Sequence, residues 1–447
     1  MDIERLYKIY LEHPLVSTDS RRLPEGCMFF ALKGESFNGN LFSASALESG
    51  AAVAVVDDAT VIPANDNRYI LVPDVLQTLQ ALAKYHRQQF RGPVLQITGT
   101  NGKTTTKELI AAVLSQQLNV LYTQGNLNNH IGVPLTLLRL RPNEHEIAII
   151  ETGANHPGEI DFLTHIVNPD YGLITNVGRA HIEGFGSFEG VKKTKGELYD
   201  FLQQKPSAQI FVNASNADLT GMLAQRGIDI QTEKCITYGR DGNGICQGDV
   251  IDCNPMLQLW WQAKGQERTS VQTNLIGAYN IDNVLAAVAV GLHFGITAEA
   301  ICTALSTYAP SLGRSEYRKT QHNELIIDAY NANLTSMQAA LDNFSRINHP
   351  QKMVILGDMK ELGTVSEEAH QQVLEAAIQS GAQTIWLVGE EFGKAAKQKG
   401  CPASIRLRTF ADVQAVKEAI ASQQPTDSLI LIKGSNSTRL HQLPETL

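Results

Sequence analysis

Apolar residues fall in short blocks along the whole chain, and the texture around those blocks changes twice. Up to about residue 85 the blocks are brief (27–32, 51–56 and 69–72) and Gly, Pro, Asn and Asp separate them. That punctuation predicts a small α/β unit. From about 86 to 312, strand-like blocks at 93–97, 147–151 and 172–177 give way to Gln, Leu, Trp and Thr alternating over 249–273. Alternation of that kind predicts an antiparallel piece. Beyond Arg314, blocks at 325–328, 353–356, 384–388 and 429–432 alternate with helical stretches of ten to fifteen residues. Strand, helix, strand in that rhythm predicts a parallel sheet with crossover helices, a Rossmann-like unit. A chain of 447 residues also exceeds what one core accommodates. The expectation is therefore an α/β protein of three domains, 1–85, 86–312 and 313–447.

The block at 93–97 runs into Ile97-Thr98-Gly99-Thr100-Asn101-Gly102-Lys103-Thr104. A buried strand, a glycine turn and a helix from about Thr104 aim backbone N–H groups and a helix N-terminus at one spot, a site for phosphate. Lys103 supplies a point charge for terminal phosphates and Thr104 a hydroxyl for Mg²⁺. The common loop has a glycine five residues before Gly102, where this chain has Ile97, so the loop is the shorter GxxGKT. A glycine turn with a chance lysine is the bland alternative; the flanking strand and helix favour ATP. In the last region the first strand continues Asp328-Ala329-Tyr330-Asn331-Ala332-Asn333, with no dinucleotide loop, so it is not an NAD domain.

Composition narrows the class. Hydrophobic content of 43% and aromatic content of 6% fit an α/β enzyme. A net charge of −9 argues against nucleic acid as a partner, and means that an anionic substrate must be drawn by local basic groups. Six cysteines without a C-x-x-C pair read as reduced thiols. The first residues carry acids and no apolar signal core, and the apolar stretch 284–296 contains His293 and falls short of a membrane span. A cytoplasmic protein without membrane insertion is expected.

Five side chains are candidates for chemistry beyond the loop. Glu151 ends a strand near the phosphate loop, where a Mg²⁺ ligand belongs, though a solvent-exposed strand-terminal acid has the same signature. His181 follows the next strand at the same sheet edge. Lys195 lies in Lys192-Lys193-Thr194-Lys195, a run that usually forms a solvated helix face, and an ammonium cannot bind metal. Arg314, at a domain joint, is placed to reach the γ-phosphate on closure or to pair with Glu316. Asp328, at a strand end, is placed to accept ribose hydroxyls or to cap a helix.

Together these strings resemble the Mur ligases, the ATP-dependent peptide synthetases of peptidoglycan assembly. The resemblance runs from Thr18-Asp19-Ser20-Arg21 and Phe29-Phe30-Ala31-Leu32-Lys33-Gly34 through the phosphate loop. It continues over Gly125-Asn126-Leu127-Asn128-Asn129, Gly153-Ala154-Asn155-His156-Pro157-Gly158-Glu159-Ile160, Tyr330-Asn331-Ala332-Asn333, and Gly357-Asp358-Met359 with Glu361-Leu362-Gly363. It implies an N-terminal UDP-binding domain, a central ATPase-type domain and a Rossmann-like C-terminal domain. Gly99, Thr100, Asn101, Gly102, Lys103 and Thr104 would hold ATP, with Asn283 (or Asn280) at adenine, Asp328 at ribose and Arg314 at the γ-phosphate. Thr104 and Glu151 would bind one Mg²⁺ and His181 a second, near a carbamate formed from Lys195 and CO₂. Lys103, Lys195, His181 and Arg314 would be the catalytic set. Ser20, Arg21, Asn126, Asn128, Asn129, Asn155, His156, Asn331 and Asn333 would contact substrate.

The strings imply that UDP-N-acetylmuramoyl-tripeptide and D-alanyl-D-alanine are joined through an acyl phosphate by a monomer whose lobes stand open before ATP binds. Two departures stand out: Asn38-Gly39-Asn40 replaces the usual Asp-Gly-His, and Leu334 replaces a proline after Tyr-Asn-Ala-Asn. Folylpolyglutamate synthase shares the loop, but the first 85 residues and Tyr-Asn-Ala-Asn speak against it. A silent ATP-binding scaffold of wall synthesis is a rival of another class.

Overall fold

In the computed structural model, which describes residues 2–178, 182–242, 244–310 and 313–447, the brief N-terminal blocks become a parallel sheet. Its strands are Val16–Ser17, Met28–Phe30, Val53–Val56 and Tyr69–Leu71, in that order. None of the four is longer than four residues. The helix Val75–Gln89, capped where Asp74 accepts from the Gln77 N–H, packs its Leu79, Leu82 and Ala83 against this sheet and against Leu137, Leu138 and Leu140 of the next unit. Tyr10 and His86 bind the seam: His86 Nε2 meets the Leu140 carbonyl at 2.9 Å and Tyr10 donates to the Leu138 carbonyl. One apolar cluster thus spans the first two units, which makes them a single packed body.

Among the described residues the central sheet has nine strands. The antiparallel strands Thr269–Ile276, Met256–Ala263 and Cys246–Cys253 form one end, as the alternation over 249–273 predicts. Parallel strands Cys235–Gly239, Gln209–Asn213, Tyr171–Ile174, Val94–Thr98, Ile147–Glu151 and Val120–Tyr122 complete it. Val94–Thr98 therefore lies between the other two predicted strands, and a crevice opens beyond their carboxyl ends. The block expected at 172–177 is a strand only over Tyr171–Ile174, because residues 175–178 leave the sheet to brace the phosphate loop. The apolar run 284–296 forms most of the buried helix Ile281–His293 against Lys103–Leu114; a Cβ on Gly291 would lie 2.5 Å from Val113 Cγ1, so the glycine permits the close approach.

The C-terminal sheet runs Glu316–Lys319, Glu324–Asp328, Leu429–Lys433, Lys352–Gly357, Thr384–Val388, Arg406–Phe410. The two edge strands escape the sequence pattern. Arg406–Phe410 is parallel but half exposed, with Arg406 and Arg408 outward, and Glu316–Lys319 is antiparallel and only partly buried. An edge strand lacks the continuous apolar run that marks a buried one. Ile276 joins the C-terminal core, so that domain too has an apolar seat on the central one. All six cysteines are unpaired. No helix among the described residues is long and apolar enough to cross a membrane.

Candidate active site

The strand Val94–Thr98 delivers the chain to Gly99 at φ +144°, where a Cβ would stand 2.0 Å from Thr175 Oγ1. Gly102, at φ +78°, would set a Cβ 2.5 Å from Asn283 Oδ1. Both positions exclude a side chain on steric grounds as well as conformational ones. The loop between them is pinned: Asn101 N–H donates to Asn176 Oδ1 at 3.0 Å, Thr175 Oγ1 donates to the Asn101 carbonyl at 2.7 Å, and Gly178 N–H donates to Thr100 Oγ1 at 2.9 Å. The helix Lys103–Leu114 starts at once, one residue earlier than the sequence suggests. Lys103 Nζ curls onto the Gly99 and Thr100 carbonyls at 2.8 and 3.1 Å. Burial pushes its pKa down; Glu151 opposes that and Arg314 adds to it.

Glu151 is no exposed strand-end acid: it is 1% exposed. Its Oε1 accepts from Asn128 Nδ2 at 2.8 Å, whereas the buried Oε2 takes no hydrogen bond among the described residues and lies 3.7 Å from Lys107 Nζ. A buried carboxylate oxygen in the cavity that Thr104 also lines suits a hard divalent cation, which seeks oxygen ligands. No cluster of three or more His, Cys, Asp or Glu that could hold a metal occurs among the described residues. His181 lies outside the described residues.

Lys195 departs from the solvated-face reading. On the helix Phe188–Gln204 the 3.6-residue period groups it with Val191, Leu198, Tyr199 and Leu202 on the buried side, while Lys192 reaches Glu189 and Asp218 at the surface. The Lys195 ammonium stands over the Phe185 ring and 3.4 Å from the Ala154 carbonyl. Burial, with the Lys103 charge behind it, pulls its pKa down to about 7.

The C-terminal domain closes the other wall of the same cavity, of about 720 Å³. Arg314 lies 3.6 Å above the Tyr330 ring; the bland alternative, a pairing with Glu316, does not form, and Glu316 binds Arg318. Arg314 Nε is buried and takes no partner among the described residues. Asp328 pairs with Lys433 rather than capping a helix. Asn333 caps the helix Leu334–Arg346 through the Ser336 N–H, and its Nδ2 donates to Asn101 Oδ1 at 2.7 Å. The phosphate loop and the last domain are thus already bonded, in contrast to the open lobes expected from the sequence.

The remaining expected residues divide. Asn126, Asn128, Asn129, Asn155 and Asn331 line the cavity. Asn129 Oδ1 is also engaged by the N–H groups of Ile131 and Gly132 at 3.1 and 2.9 Å. Asn280 and Asn283 line it too, but Asn283 accepts from Thr106 and donates to Asn280, which itself donates to the Ile276 carbonyl. Much of their hydrogen-bonding capacity therefore supports the floor beneath the loop. His156, Ser20 and Arg21 do not line the cavity; Arg21 forks onto Asp19. Asn40, at the departure from Asp-Gly-His, is buried and exchanges hydrogen bonds with Asp57 at 2.8 and 3.0 Å, so the asparagine braces its own domain. Sequence reading missed Lys107, Tyr279, Tyr330 and Lys433. Lys433 was findable, since it ends an apolar strand as Asp328 does; Lys107 looks like any helix lysine.

Models of three family domains match in order: "Mur ligase family, catalytic domain" over residues 14–87, "Mur ligase middle domain" over 97–291, and "Mur ligase, glutamate ligase domain" over 313–436. The UDP-N-acetylmuramoyl-tripeptide–D-alanyl-D-alanine ligase of Escherichia coli (strain K12) is 36% identical over 97% of this chain and 93% of its own length. The chain belongs to the Mur ligase family. Among solved structures, MurF from Acinetobacter baumannii superposes with a TM-score of 0.82 at 31% identity, covering 96% of this Mur ligase and 92% of that chain. The MurF ligase of Thermotoga maritima in complex with ADP does so at 0.81 and 26% identity, over 97% and 96%.

Proposed function

We propose that this Mur ligase joins UDP-N-acetylmuramoyl-tripeptide to D-alanyl-D-alanine in the cytoplasm at the expense of ATP. The observation that carries the reading is the convergence of Lys103, Lys195 and Arg314 with Glu151 in one cavity of a chain whose net charge is −9. The names of relatives matched over nearly their full length support the choice of substrates.

A free carboxylate repels an attacking amine, so it must first be activated. The tripeptide's terminal carboxylate oxygen attacks the γ-phosphorus, the bond to the ADP oxygen breaks, and an acyl phosphate forms. The D-alanyl-D-alanine amine then attacks the carbonyl carbon, loses a proton, and phosphate departs as the amide forms. Like charges crowd both steps. Lys103, on leaving the Gly99 and Thr100 carbonyls, reaches for the terminal phosphates, and Arg314, held flat on Tyr330, meets the charge that builds on the transferred group. Asp328 accepts the ribose hydroxyls. Thr104 and Glu151 would hold Mg²⁺, which would neutralise charge on the phosphate oxygens. Lys195, whose pKa near 7 leaves a large fraction of its amine unprotonated at physiological pH, is suited to add CO₂: the neutral nitrogen bonds the carbon, one proton leaves, and the amine becomes an anionic oxygen donor.

The test is phosphate release by purified enzyme supplied with ATP, Mg²⁺ and UDP-N-acetylmuramoyl-tripeptide. Release that depends on D-alanyl-D-alanine and ignores glutamate supports the reading; dependence on glutamate, or none on either amine, defeats it. Varying the third stem residue between diaminopimelate and lysine in the same assay assigns the natural tripeptide.

A further inference from the structure

Lys433 ends the strand Leu429–Lys433, in parallel register with Asp328 at the carboxyl edge of the C-terminal sheet. It is 1% exposed, and an ammonium that deep is costly unless a partner compensates it. Its Nζ donates to Asp328 Oδ2 and lies 3.4 Å from the Asn331 carbonyl. Asp328 Oδ1 accepts nothing from the described residues, and both side chains line the cavity. The Asn331 carbonyl belongs to the turn that sets Tyr330 beneath Arg314 and Asn333 against Asn101. One buried cation therefore ties the strand-end carboxylate to the turn beside it.

We infer that Lys433 is a positioning residue for nucleotide binding: it clamps one oxygen of Asp328 so that the other is presented to the ribose. The inference rests on the reading of Asp328 as the ribose acceptor. A carboxylate free to rotate at the mouth of a cavity would bind water as readily as a sugar hydroxyl. Clamped by Lys433, it is restricted to one orientation, and hydrogen bonds to a charged acceptor are the stronger kind.

The test compares calorimetric affinities for ADP and 2′,3′-dideoxy-ADP, each with Mg²⁺, in the parent enzyme, Asp328→Ala and Lys433→Met. The parent should prefer ADP by roughly tenfold or more, as a hydrogen bond to a charged group warrants. Asp328→Ala should abolish the preference, and Lys433→Met should bring it within about threefold of that variant. A lysine that only supports the fold would weaken both nucleotides alike; an unchanged ratio in Lys433→Met beside a collapsed one in Asp328→Ala overturns the inference. A ratio unchanged in Asp328→Ala instead overturns the ribose reading beneath it. If Lys433→Met does not fold, Lys433→Leu, which likewise carries neither donor nor charge, takes its place: a collapsed ratio supports the clamp and an unchanged one overturns it.

Discussion

Replacing Lys195 by methionine should make the metal-free protein more stable while abolishing its activity. The side chain is 2% exposed, and its pKa is held near 7 by burial first and Lys103 second, with Glu159 and Glu197 pulling the other way. In the unfolded chain the amine binds its proton below about 10.4, whereas in the folded protein it does so only below about 7. Between those values unfolding takes up a proton, so stability falls as pH drops from about 10 to about 7 and levels off below that. The gap corresponds to ~5 kcal/mol, and water entering around the ammonium lowers the readable effect to roughly 2–4 kcal/mol. Lys195→Met has similar bulk and no charge. It should match the parent at pH 10 and exceed it by that amount at pH 6. Urea unfolding in CO₂-free buffer reads this, with Trp386→Phe as background so that Trp260 and Trp261 report on the central domain. Bicarbonate at pH 8 should stabilise the parent and leave the variant unmoved. Parallel stability curves for the two proteins from pH 6 to 10 would show the reasoning to be wrong.

Lys103→Ala should lower phosphate release by at least 10²–10³-fold with an unchanged melting temperature, the loss typical of one positioned charge; near-normal turnover would remove Lys103 from the chemistry. Gly102→Ala forces a left-handed alanine, ~1–2 kcal/mol, and drives its Cβ into Asn283 Oδ1, which must then leave Thr106. Calorimetry should show ADP binding about tenfold weaker or more. Asn333→Ala removes a helix cap worth ~1 kcal/mol and the bond to Asn101. Small-angle scattering should give the nucleotide-free variant a larger radius of gyration than the parent, and an identical radius would mean that this bond does not hold the lobes together.

The phosphate loop was legible without a fold because its requirements are local. Gly99 and Gly102 need positive φ, Lys103 and Thr104 follow at fixed offsets, and a strand and helix flank them. The parallel rhythm after residue 314 was legible for the same reason, since buried strands need continuous apolar runs. The edge strands Glu316–Lys319 and Arg406–Phe410 were not, because half-exposed strands carry no such run.

What the residues determined alone was therefore the local chemistry: a turn that cradles phosphate, strands long and apolar enough to be buried, and a set of cations in an acidic chain. What only the tertiary structure decided was which of those charges lose their water. Lys192 and Lys195 are indistinguishable in composition, yet packing leaves one at the surface and buries the other until its proton is loosely held. The partners of Glu151, Arg314 and Asp328 come from 23, 16 and 105 positions away, with other helices or strands between. Desolvation and pairing depend on distance in space, and separation along the chain does not encode it.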